Sequence, residues 1–185
     1  AALLDEQLPE NRELQIIRGS VDHLRALLQR TRMHTGRVIL SPGDCDVRAL
    51  FEQIIRETPH TDALRIEIDR CDDAPLYCDP SHVREALTNL VGNAVEAMCG
   101  AGRITLSYVR TARKAAVSVC DDGPGMSPAA QKRIFEPYYT TKTSGENFGL
   151  GLYYCQNVMN VHEGSIRVSS VPGKGCAFTL IFPLA

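Results

Sequence analysis

Apolar residues recur along this chain with two different periods, and the switches between them mark its elements. Near the start, Leu14, Ile17, Val21, Leu24 and Leu28 follow at spacings of 3, 4, 3 and 4, the seam of a helix that pairs with another helix. A helix packed on its own domain is the ordinary alternative, but the seam is narrow and its flanks are rich in Arg, Glu and Gln, so the pattern predicts a dimerisation helix ending near Gly36. Residues 1–37 then form one region and residues 38–185 a second. In the second, "VRALFEQIIRE" (47–57) reads as a helix capped by Asp46. "LRIEID" (64–69) alternates and reads as a strand. Asp79-Pro80 opens a longer helix, with Asp as cap and Pro in the first turn, running to about Met98. "RITLSYV" (103–109) and "KAAVSVC" (114–120) are predicted strands of a hairpin turning at Arg110–Arg113. A short helix over 127–133, an irregular loop over 134–148 and a helix over 150–161 follow. "SIRVSSV" (165–171) and "CAFTLIF" (176–182), joined by the turn "PGKG", are the last strands. Helices and strands mixed without strict alternation predict an α/β fold: a two-layer α/β sandwich with a mixed sheet and helices on one face.

Composition narrows the functional classes. The length of 185 residues suits one domain with a short appendage. A net charge of −2 gives no argument for nucleic acid or for an anionic membrane. The seven cysteines, at 45, 71, 78, 99, 120, 155 and 176, are odd in number and contain no C-x-x-C. They support neither a disulfide framework nor a zinc site, and reduced thiols in a cytoplasmic protein fit them best. No apolar run reaches membrane-spanning length and no signal peptide is evident, although a parent protein with a membrane part elsewhere is compatible.

Candidate chemistry begins on the helix after Asp79. With Glu85 as origin and about 100° per residue, Asn89 lies near 40°, Asn93 near 80° and Glu96 near 20°. Val83, Ala86, Leu87, Leu90, Ala94 and Met98 cluster opposite. A solvated stripe is the ordinary explanation. Yet asparagine costs about 0.6 kcal/mol relative to alanine inside a helix, and its carbonyl is a hard oxygen ligand suited to Mg2+. The loop "DDGPGM" (121–126) follows a strand and opens with two carboxylates, which repel phosphate. Asp121 is better suited to accept the exocyclic amino group of adenine, with Gly123 and Gly125 letting the backbone approach a flat ring. "NFGLGL" (147–152) supplies a glycine turn feeding a helix N-terminus, where free N–H groups and the helix dipole favour phosphates.

Taken together and in order, these stretches resemble the catalytic ATP-binding domain of sensor histidine kinases, in the superfamily (the Bergerat fold) that also contains DNA gyrase, Hsp90 and MutL. "DPSHVREALTNLVGNAVEAM" resembles the N box, "DDGPGM" the first glycine box, "RIFEPYYTTK" the F box and "FGLGL" the second glycine box. "SSVPGKGCAFTLIFP" resembles the closing strands, so the likeness covers about residues 38–185. The resemblance implies ATP and Mg2+ as ligands and transfer of the γ-phosphoryl group to a histidine. Asp121, Gly123 and Gly125 would hold the base, with Thr179 assisting at the adenine. Asn93 would bind Mg2+ and Asn89 the phosphates. Phe135 would anchor one end of a lid over 134–148. Thr141 and Lys142 would approach the phosphates, and Gly149, Leu150 and Gly151 would cradle them. Glu85, with Asn89 and Lys142 as the other catalytic candidates, would orient the incoming group or accept its proton.

Asn147 and Phe148 depart from the family pattern, which has glycine and a small hydroxyl residue there; weaker nucleotide binding is the expected cost. None of His23, His34, His60, His82 or His162 has the acidic residue and nearby proline that follow the family's acceptor histidine. Residues 10–33 resemble the second dimerisation helix instead. The expectation is therefore a homodimer and a response-regulator receiver partner, with the acceptor helix apparently absent from this chain and no autophosphorylation by it. A hydrolytic ATPase of the same superfamily is the alternative, weakened by Asn89 standing where those enzymes carry a water-activating glutamate. A degenerate nucleotide-binding or dimerisation module is the other.

Overall fold

The computed structural model describes residues 40–59, 61–140 and 149–184. The predicted dimerisation helix, and with it His23, His34 and His60, lies outside the described residues.

Three alternating apolar runs build the sheet. In β4 (Gly102–Arg110) the inward positions are Ile104, Leu106 and Tyr108; in β5 (Lys114–Asp121) they are Ala115, Val117 and Val119. In β7 (Cys176–Pro183) they are Cys176, Phe178, Leu180 and Phe182. With β2 (Leu64–Cys71) and β6 (Ser165–Ser170) they form a five-stranded sheet of order β2-β4-β5-β7-β6. β2 runs parallel to β4 and every other pair is antiparallel, so the sheet is mixed as expected. Strand alternation leaves Thr105, Ser107, Ser118 and Thr179 on the other face, where they are only partly buried.

Among the described residues, three long helices, the first, second and fourth in chain order, cover the inward face. α1 (Val47–Glu57) starts where Asp46 accepts a hydrogen bond from the Ala49 amide at 3.0 Å, and it buries Val47, Leu50, Phe51 and Ile54. α2 (Pro80–Ala97) buries Val83, Ala86, Leu87, Leu90, Val91 and Ala94 over the sheet. α3 (Pro128–Gln131) is a single turn capped by Ser127. α4 (Gly151–Val161) packs beside α2 and buries Tyr154, Cys155, Val158 and Met159.

The Asp79 carboxylate does more than cap α2. Oδ1 accepts from the amides of Ser81 (3.0 Å) and His82 (3.2 Å), and Oδ2 from Ser41 (2.8 Å). The Asp79 amide in turn donates to Nε2 of His162, just past the end of α4. Burial pushes this carboxyl upward, but the amide bonds from Ser41 and His82, the His82 charge and the Ser81 amide together bring it below its ordinary value. One element was not anticipated. β1 (Gly43–Cys45) and β3 (Leu76–Cys78) form a separate two-stranded antiparallel ribbon leading into Asp79. Among the described residues, no helix is long and apolar enough to cross a membrane.

Candidate nucleotide site

The polar stripe of α2 does not face open solvent. Glu85, Asn89 and Asn93 are partly buried, because the stripe turns toward α4. A β-carbon on Gly151 would stand 3.3 Å from Oδ1 of Asn89. That glycine opens α4, whose N-cap, Leu150, makes no side-chain cap bond. The Leu150 side chain thus leaves the first turn of α4 uncapped, beside a hard carbonyl oxygen, an arrangement that favours an anion. Glu85, one turn before Asn89, accepts a hydrogen bond from the Tyr154 hydroxyl at 2.6 Å, and Nδ1 of His82 lies 3.0 Å from the same hydroxyl. Tyr154 and His82 were not singled out from the sequence. Tyr154 reads there as one more member of an apolar helix face.

Asp121 ends β5 on the inward side of the sheet and is half-buried. Its Oδ1 accepts from the Gly123 amide at 3.0 Å. Burial raises its carboxyl above the ordinary value; the Gly123 and Cys176 amides oppose this, and the neighbouring Asp122 charge adds to the rise. A β-carbon on Gly123 would lie 2.8 Å from that Oδ1 and 3.0 Å from Cγ of Met98, so a side chain here would displace the carboxylate. Gly125 meets the backbone of a second turn. Its φ is +67°, and a β-carbon there would stand 2.2 Å from the carbonyl oxygen of Val171. The turn between β6 and β7 presses against this loop. Gly173 donates to the Pro124 carbonyl at 2.7 Å, and Met126 donates to Oγ of Ser170 at 2.8 Å.

Thr179 lies on the other face of the sheet from Asp121. Asp121 shares the parity of Val117 and Val119, which point to the helices, whereas Thr179 alternates with Phe178 and Leu180 and points away. Its hydroxyl pairs with that of Ser118 at 3.0 Å on the far face of the sheet. The residue opposite Asp121 in the β5–β7 ladder is Cys176. It had been read only as part of a strand, although the alternation of "CAFTLIF" carries the signal.

Phe135 packs edge to face on Phe178, with ring centroids 6.5 Å apart, and Ile134 beside it is buried. Both pack on the body of the domain at the start of a segment, 134–140, that has neither helix nor strand. The Tyr138 amide donates to the Gly149 carbonyl at 3.1 Å, which joins the two segments flanking residues 141–148. Gly149 has φ +65°, and a β-carbon on it would come within 2.6 Å of the Tyr139 carbonyl oxygen. Thr141, Lys142, Asn147 and Phe148 lie outside the described residues.

Residues 78–185 match the family described as histidine kinase-, DNA gyrase B-, and HSP90-like ATPase. The adaptive-response sensory kinase SasA of Crocosphaera subtropica is 40% identical over 178 residues, covering 94% of this chain and 45% of that protein. The signal transduction histidine-protein kinase AtoS of Escherichia coli is 40% identical over 112 residues, covering 60% of this chain and 18% of that protein. The chain thus spans less than half the length of these curated relatives. Full-length ShkA in complex with AMPPNP superposes with a TM-score of 0.81 at 27% identity, over 100% of this chain and 40% of that one. The catalytic domain of the histidine kinase ThkA gives a TM-score of 0.66 at 25% identity, over 78% of this chain and 98% of that one. On this match, and on the mixed sheet and helix layer that carry its motifs, the chain belongs to the histidine kinase-, DNA gyrase B- and HSP90-like ATPase family and contains the ATP-binding domain of a sensor histidine kinase.

Proposed function

We propose that this domain binds Mg-ATP and transfers the γ-phosphoryl group to a histidine, for relay to the receiver domain of a response regulator. The observation that carries the reading is the juxtaposition of Asn89 with Gly151 at the uncapped start of α4. Amide donors for a phosphate chain and a carbonyl oxygen fit for a hard cation meet at one place. Asp121, half-buried at the end of β5 with its carboxyl raised by burial, would accept the adenine amino group. Gly123 and Gly125 shape this end, the first by leaving room for the carboxylate and the second by admitting the β6–β7 turn. Asn93 would hold Mg2+, which when bound neutralises charge on the phosphoryl oxygens, and Asn89 would sit against the phosphates. Leu150, Gly149 and Gly151 would cradle the phosphates, with Thr141 and Lys142 completing the site. Glu85 would orient the incoming imidazole or take its proton. Phosphoryl transfer of this kind asks chiefly for positioning and charge complementarity.

The reading extends to homodimerisation through residues 1–37, a second domain over residues 38–185 and a cytoplasmic location. The SasA and AtoS relatives, both named as kinases, support a phosphotransferase over a hydrolase. The test is incubation of the chain with γ-labelled ATP and a separate acceptor-helix peptide. Label on the peptide's histidine is expected. Release of free phosphate without labelled peptide would replace the kinase by an ATPase.

A further inference from the structure

Glu85 is held by a hydrogen-bond relay through Tyr154 and His82. The Tyr154 hydroxyl lies 2.6 Å from Oε2 of Glu85, within the range of a charge-assisted O–H···O bond. A phenol has one proton, and here it goes to the carboxylate. Its oxygen is then an acceptor, so the contact with His82 Nδ1 at 3.0 Å requires that nitrogen to carry a proton. The direction is therefore set: His82 donates to Tyr154, and Tyr154 donates to Glu85. Tyr154 is 6% exposed, so water has little access to compete for its hydroxyl.

The relay also crosses between helices. His82 and Glu85 stand one turn apart on α2, and Tyr154 stands one turn after Gly151 on α4. The amide of Tyr154 bonds the carbonyl of Leu150, the N-cap of that helix. A single phenol thus ties Glu85 to the helix whose first turn faces Asn89. Beside it the Cys155 thiol meets the Ala86 carbonyl at 3.4 Å, which keeps the two helices in register.

We propose that Tyr154, supported by His82, is a positioning residue for phosphoryl transfer: it holds the Glu85 carboxylate in one orientation relative to the phosphate-facing end of α4. The inference rests on the role assigned above to Glu85. Tyr154→Phe removes only the hydroxyl and retains the ring that fills the interface. In the acceptor-peptide assay on the full chain, Tyr154→Phe is expected to lower kcat about tenfold or more, because misorientation of a reacting group is costly. The Kd for a fluorescent ATP analogue and the melting temperature should stay close to wild type. Glu85→Gln should lose turnover, and the double variant should be no slower than Glu85→Gln alone. Turnover within twofold of wild type in Tyr154→Phe, with Glu85→Gln impaired, overturns the positioning role. Loss of nucleotide affinity or melting temperature in proportion to kcat also overturns it, by making the phenol a packing group. Unchanged turnover in both single variants overturns the role of Glu85 itself. Independently of turnover, wild type should give a slowly exchanging downfield hydroxyl proton resonance that Tyr154→Phe removes and Glu85→Gln shifts. Its absence from wild type removes the bond, and with it the proposal.

Discussion

Gly125 and Val171, 46 positions apart in the sequence, meet backbone to backbone: a β-carbon on the glycine would stand 2.2 Å from the valine carbonyl oxygen. The loop that presents Asp121 is therefore braced by the β6–β7 turn. Gly125→Ala combines that clash with a φ of +67° and is expected to destabilise the domain by about 2 kcal/mol or more. Gly173 also has positive φ (+76°) but has nothing within 4 Å of its β-position, so Gly173→Ala should cost only about 1 kcal/mol of backbone strain. Thermal melting compares the two. Equal shifts would mean that the brace contributes nothing.

Asp79→Ala deletes the acceptor of three amide bonds at the start of α2. The expected loss is about 2 kcal/mol at neutral pH, at the upper end for an N-cap. The folded carboxyl lies below its ordinary value. Its contribution is thus complete above the unfolded value of about 3.9 and disappears as pH falls through the folded one. Urea unfolding of wild type and variant should differ most near pH 7 and converge in strong acid. A gap that widens on acidification would contradict the assignment.

Asp121→Asn presents a different balance. Burial opposes the charged form of this carboxyl, so a neutral isostere should leave the melting temperature unchanged or raise it. Binding of a fluorescent ATP analogue should weaken about 10-fold to 100-fold, the value of a hydrogen bond to a charged group. A variant that melts early and still binds would reverse the roles proposed for this residue.

Thr179→Val tests whether this residue assists at the adenine. The hydroxyl pairs with Ser118 on the face away from Asp121. Nucleotide affinity should therefore remain within about twofold of wild type, less than one hydrogen bond's worth. A tenfold loss by titration would return Thr179 to the site.

Much of this architecture is legible in the residues themselves. α1 is bounded correctly because Asp46 and an amphipathic run agree, and the three long strands to within one residue at each end because their alternation is clean. β1 and β3 escaped because three residues carry no measurable period. The motif brings Thr179 toward the adenine, whereas the parity of Phe178 and Leu180 places it on the outer face. Tyr154 could not have been found from spacing, since its partner lies 69 positions away and its ring fits an apolar stripe. The same holds for the brace on Gly125, which exists only once two turns have been brought together by the β5–β7 ladder.

The β4–β5 register has a practical consequence. Asp121 pairs with Ile104 at one end of the ladder, while Ala115 pairs with Arg110 at the other, beside the hairpin turn. Six strand steps separate Asp121 from Ala115, a span of about 20 Å. A reporter dye or affinity handle attached at Ala112, in an exposed turn, would sit far enough away to leave ligand titrations unperturbed while tumbling with the same sheet.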